Sequence, residues 1–121
     1  MKPENIQKLG EWIEALKSGK YEHVKGNLCI NNKYCCLGVW AKLRNPDLDI
    51  AIAELSCLLS STNSLNEQIC GDFFDQLEQY IPINSDLNVK QYLALINDTS
   101  DSFQRVIDIL EPVYKELTNE Q

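Results

Sequence analysis

The chain holds one histidine, His23, and of its 121 residues only 11 are Lys or Arg against 18 Asp or Glu. Each shortage removes a class of protein. With one histidine and no Cys-x-x-Cys pair, a zinc site lacks its usual ligand set, so no metal is expected. A formal charge of −7 disfavours non-specific DNA binding, which needs cations to displace counterions from phosphates. Neither G-x-x-x-x-G-K-[ST] nor G-x-G-x-x-G occurs, so a conventional nucleotide enzyme is not expected and no cofactor is implied. No apolar run approaches the roughly 20 residues of a membrane span, and the first residues lead into an amphipathic pattern instead of an apolar leader. Five cysteines, odd in number and with Cys35 and Cys36 adjacent, do not form the even framework of a small secreted domain. Reduced thiols in the cytoplasm of a bacterial host cell fit better.

What is present reads as one globular domain over residues 1–121, since hydrophobic content of 44% and charged content of 24% are ordinary for a folded chain of this size. Pro3 followed by Ile6, Leu9, Trp12, Ile13 and Leu16 gives an amphipathic helix, ended by Ser18-Gly19 with Gly19 in the left-handed position. Lys20 to Lys25 is polar and reads as a loop. Asn27 to Ile30 and Lys33 to Cys36 flank Asn31-Asn32, a pair that tolerates a tight turn, and predict a hairpin. Leu37, Val39, Trp40 and Leu43 make a short helix stopping before Asn45-Pro46. Asp49 to Leu59 reads as helix and Ser60 to Asn66 as loop, with Cys57 and Cys70 as core.

Further helices are predicted over Asp72 to Tyr80 and Leu87 to Ile96, followed by the capping run Asn97 to Ser102. Asp101 with Gln104 resembles a capping box for a last helix from Phe103 to Leu117, which Pro112 should kink or break near Glu111 before a fraying tail from Thr118. The fold class is α+β, mostly α: five or six helices packed around one small β-hairpin.

Charge is uneven: residues 1–45 carry eight Lys/Arg against four Asp/Glu, net +4, and residues 46–121 carry three against fourteen, net −11. The first part invites an anion and the second a basic partner. Cys35 or Cys36 with His23 as base could form a thiol nucleophile beside Lys20, Lys25 and Lys33, but no third residue to orient the histidine is legible. Neighbouring residues on a strand point to opposite faces, so Cys35 and Cys36 do not share an ion with Cys29 and His23, and packing of small apolar side chains is the plainer role.

Trp12-x-x-Ala15-Leu16-x-Ser18-Gly19-x-Tyr21, Tyr34-Cys35-Cys36-Leu37-Gly38-Val39 and Asn97-Asp98-x-x-x-Ser102-Phe103 together resemble an uncharacterised family of small phage and prophage proteins. The resemblance covers the first 43 residues well and residues 93–111 fairly, with Ile96 standing where the family more often has leucine. It implies a phage-type accessory protein and no particular chemistry.

The resulting expectation is a binding protein that captures a small anionic nucleotide-like ligand and so sequesters a host defence signal. Its ligand residues are Lys20, Tyr21, Lys25, Gly26, Asn97 and Asp98: cations, a flat ring, a glycine permitting close approach, and acceptors for a donor-rich group. The alternatives are an acidic inhibitor that docks on a basic host protein and, last, a thiol-dependent enzyme. A homodimer would be unsurprising for a chain with so many aromatic and aliphatic side chains.

Overall fold

A computed structural model describes residues 1–26, 29–30, 33–44, 72–83 and 86–119. The Asn31-Asn32 turn, the Asp49 to Leu59 helix, the Ser60 to Asn66 loop, Cys57 and Cys70 lie outside the described residues.

Helix α1 spans Pro3–Lys17 and buries Ile6, Leu9, Trp12, Ile13 and Leu16, the stripe that the spacing requires. Gly19 follows at φ +79°, a conformation that a side chain would strain. Asn5 is the polar exception on the buried face. Its Nδ2 donates to Asp72 Oδ1 at 3.0 Å and to Gln76 Oε1 at 2.9 Å, which ties the first turn to a distant helix.

The expected lone hairpin is corrected by the strand pairing. Strands β1 (Glu22–His23), β2 (Cys29–Ile30) and β3 (Lys33–Tyr34) form an open, mixed sheet in the order β1-β3-β2. β1 pairs with β3 in parallel, with Glu22 opposite Lys33 and His23 opposite Tyr34, while β2 pairs with β3 antiparallel. The Lys20 to Lys25 segment is therefore not all loop. A parallel partner needs a crossover instead of a tight turn, and a strand of two residues is too short to show an alternating pattern.

Helix α2, Cys36–Arg44, is buried from Cys36 through Ala41. Helix α3, Phe73–Leu77, runs into a 3-10 turn at Glu78–Tyr80. Helix α4, Val89–Asp98, begins at a capping box in which Asn88 Oδ1 accepts from Gln91 N at 2.9 Å and Gln91 Oε1 accepts from Asn88 N at 3.0 Å. It extends two residues beyond the predicted end and absorbs Asn97-Asp98.

Helix α5, Gln104–Asn119, passes through Pro112 without the expected break and keeps Thr118 helical. Its buried Val106, Ile107, Leu110, Val113 and Leu117 hold it against α1, which outweighs one missing backbone donor. The capping box expected at its start is also corrected: Ser102 Oγ accepts from Gln104 N at 3.2 Å, and Asp101 pairs elsewhere.

α1 packs on α5 and α2, α2 on α4, and α4 on α5 and α3. At the centre, Trp40 stacks on Phe73 at 4.0 Å between ring centroids, and Trp12 meets Trp40 and Phe74 edge-on. Trp12 Nε1 donates to Cys36 O at 2.9 Å, so the indole's one polar atom is satisfied inside the core. Among the described residues Leu95 is the exposed large apolar side chain, at 43%, and no helix is long and apolar enough to cross a membrane.

Candidate functional site

Val24 and the first residue of α2 are tied to the C-terminal end of α4 by one side chain. Asn97 is fully buried, and its Oδ1 accepts from Cys36 N at 3.0 Å while its Nδ2 donates to Val24 O at 2.9 Å. Its own carbonyl lies 3.0 Å from His23 Nε2. A carbonyl oxygen only accepts, so Nε2 carries the proton there, and Nδ1 has no partner among the described residues.

Asp98 completes the junction. Its Oδ1 accepts from Gly26 N at 2.8 Å and from Asn97 Nδ2 at 3.2 Å. Gly26 stands at φ +85°, which turns its amide onto the carboxylate. Lys25 Nζ pairs with Asp101 Oδ1 at 3.0 Å, and this hydrogen bond and charge hold the Asp101 carboxyl below the usual carboxylate range.

Three of the six expected ligand residues, Gly26, Asn97 and Asp98, are thus in mutual contact, with Lys25 adjoining them. Their polar atoms are directed at one another. Tyr21 lies apart from this junction, packed edge-on against Tyr34 at 5.2 Å, and it divides two surface depressions. One, of about 280 Å³, includes Lys20 and Ser18. The other, a cleft of about 340 Å³ between the end of α1 and the start of α5, is bordered by Lys17, Tyr21, His23, Ser102, Phe103 and Gln104.

His23 meets Phe103 edge-on at 5.1 Å between ring centroids. The sequence offers His23 as a base for a thiol or as a metal ligand beside Cys29, Cys35 and Cys36, and it does not single out Ser102, Phe103 or Gln104 as site residues. The available signal was Phe103 itself, an aromatic residue directly after a run of capping residues.

The adjacent thiols are committed to structure. Both are buried; Gly38 N donates to Cys35 Sγ at 3.4 Å, and Cys36 Sγ donates to Leu93 O at 3.6 Å. Burial first, and the neighbouring Cys35 second, push the Cys36 thiol well above its ordinary range, the opposite of what an activated nucleophile needs. Among the described residues no group of three or more His, Cys, Asp or Glu side chains is placed to hold a metal.

A larger groove of about 670 Å³ runs between α1 and α5 over Gly10 and Tyr114. Its charged groups are largely matched internally or across its rim, with Lys17 on Glu111 at 3.1 Å and Glu11 on Arg44 at 2.7 Å. The smaller cleft is the stronger candidate because it gathers two aromatic rings and an imidazole with an uncommitted nitrogen.

Residues 1–114 match the domain of unknown function DUF8296. The chain belongs to this family. No curated protein and no solved structure matches it. Within this DUF8296 chain, Gly26, Cys36 and Asn97-Asp98, far apart in sequence, converge at the C-terminal end of α4.

Proposed function

We propose that this DUF8296 chain is a phage-type accessory protein that binds a small anionic, nucleotide-like ligand and sequesters a host defence signal. The observation that carries the reading is the convergence of Tyr21, His23 and Phe103 on one cleft bordered by Lys17. Flat rings offer stacking area to a base, and the imidazole offers a partner to a phosphate. The phage assignment is supported by the sequence resemblance alone. Relative to the sequence expectation the ligand surface moves: Tyr21 stays in it, Lys20 sits beside it, and Asn97 and Asp98 form the support behind it.

Native mass spectrometry of freshly purified protein and calorimetric titration with cyclic nucleotides and ADP-ribose test the reading. Binding is expected, weakened at least about tenfold by Tyr21→Ala, a loss in the range of one stacked base. Silence of the folded protein across that panel would reject it.

A second reading, an acidic inhibitor of a basic host protein, draws on the exposed carboxylates of Asp75, Glu78, Asp86, Asp101, Asp108 and Glu116. Capture of a basic protein that weakens steeply with salt, without any bound small molecule, favours it over the first.

A further inference from the structure

We propose that His23 couples ligand capture in the Tyr21–Phe103 cleft to the uptake of one proton, so that the cleft holds anions more tightly as pH falls. The inference rests on the reading of that cleft as the ligand site.

The geometry that carries it is the division of labour between the two ring nitrogens. Nε2 is fixed as a donor by the Asn97 carbonyl at 3.0 Å, and the ring is held edge-on to Phe103. In the neutral ring Nδ1 is then only an acceptor, and an anionic oxygen beside it is repelled. Protonation converts Nδ1 into a donor without disturbing the Nε2 bond, so the ring gains a recognition function while keeping its anchor. Imidazole side chains change charge within the physiological range, which makes such a change accessible.

The surrounding charges leave this proton as the decisive change. From α1, Lys17 is paired with Glu111 of α5 at 3.1 Å. On its own segment, Lys25 is paired with Asp101, which itself lies within the electrostatic reach of His23. From α4, Asp98 is engaged by Gly26 N. On the sheet, Glu22 stands opposite Lys33, and Tyr34 lies beside His23. Arg105 of α5 is directed to Thr99 at 3.5 Å. Lys17, Lys25, Asp98 and Arg105 already have opposite or polar partners, so one added proton shifts the cleft toward positive.

The test uses cyclic AMP and ADP-ribose, whose phosphodiester and pyrophosphate charges are constant over the range examined, so a change in affinity reports the protein. Calorimetry from about pH 8 to about pH 5.5 should show tightening of about tenfold for each unit by which the ligand shifts the imidazole equilibrium. Repeating it in buffers of different ionisation enthalpy should show net proton uptake on binding that peaks between the free and bound imidazole values. The chain has one histidine, so its ring nitrogen resonances report His23 directly, and they should titrate at higher pH with ligand bound. His23→Gln should lose the pH dependence of binding over this range. Binding without pH dependence, or a dependence that survives His23→Gln, overturns the inference and leaves the cleft reading standing. Absence of binding by either probe at every pH overturns both. The proton count and the resonances need no variant, so they decide the matter even if His23→Gln folds poorly.

Discussion

Asn97 Oδ1 accepts the backbone N–H of Cys36 at 3.0 Å, across 61 residues of chain, and caps the first turn of α2 from another helix. The same amide donates to Val24 O, 73 residues away. One buried side chain thus fixes the entry of α2, the exit of β1 and the backbone carbonyl that orients His23. The chemistry of the cleft depends on a residue outside it.

Asn97→Leu should destabilise the fold by about 1 to 3 kcal/mol, because it strands the buried N–H of Cys36 and also removes the donor to the half-buried Val24 carbonyl. Urea unfolding should show a lower midpoint with an unchanged slope. Asn97→Asp keeps the acceptor for Cys36 N but directs a second acceptor at Val24 O, so its cost should be no smaller. A loss below about 0.5 kcal/mol for Asn97→Leu would contradict the role assigned to it.

Gly10 lies under the ring of Tyr114, where an added Cβ would sit 2.8 Å from Cε1. Gly10→Ala should therefore forfeit most of the roughly 1 kcal/mol that alanine gains over glycine inside a helix, by displacing that ring. In a Tyr114→Ala background the gain should return in full. A double-mutant cycle in denaturant measures the coupling, and simple additivity would contradict the contact.

Cys35 and Cys36 should resist alkylation in the folded protein at neutral pH and react once it is unfolded. Peptide mapping after iodoacetamide reports each separately. Burial raises the Cys36 thiol, so the thiolate that reacts is scarce, and rapid labelling of Cys36 in the native state would contradict its placement.

Asp72 is held below the usual carboxylate range by the Lys2 ammonium and then by Asn5, and Lys2 is raised in turn by Asp72. Asp72's contribution is present above its unfolded value near 3.8 and is lost as pH falls through its lower folded value. For Lys2 the contribution is complete below the unfolded value of 10.5 and disappears as pH rises through the raised folded one. Both groups are exposed, so the effects are small. Stability measured against pH should flatten at the acid end in Asp72→Asn and at the alkaline end in Lys2→Met.

The elements that were legible in the chain are those whose pattern is local. The stripe from Ile6 to Leu16 repeats at helical spacing, and Gly19 marks its end, so α1 appeared with its boundaries nearly right. The Asn88-Gln91 capping box is equally local, and at the start of α5 Ser102 fills the role that the spacing of Asp101 and Gln104 predicts for Asp101. Pro112 does not break α5, because burial of the helix's apolar face against α1 outweighs the lost backbone donor.

The sequence by itself determined a mostly helical chain with an apolar face on each long helix, because periodicity decides which side of a helix leaves water. It also supplied the residues of the junction, Gly26, Asn97 and Asp98, without their purpose. Only the tertiary structure decided that purpose, since Asn97 finds its partners 61 and 73 residues away. The parallel β1–β3 pairing and the meeting of His23 with Phe103 belong to the same class. Such contacts leave no local period to read, and a polar residue in a turn-like run looks the same whether water or a buried amide satisfies it.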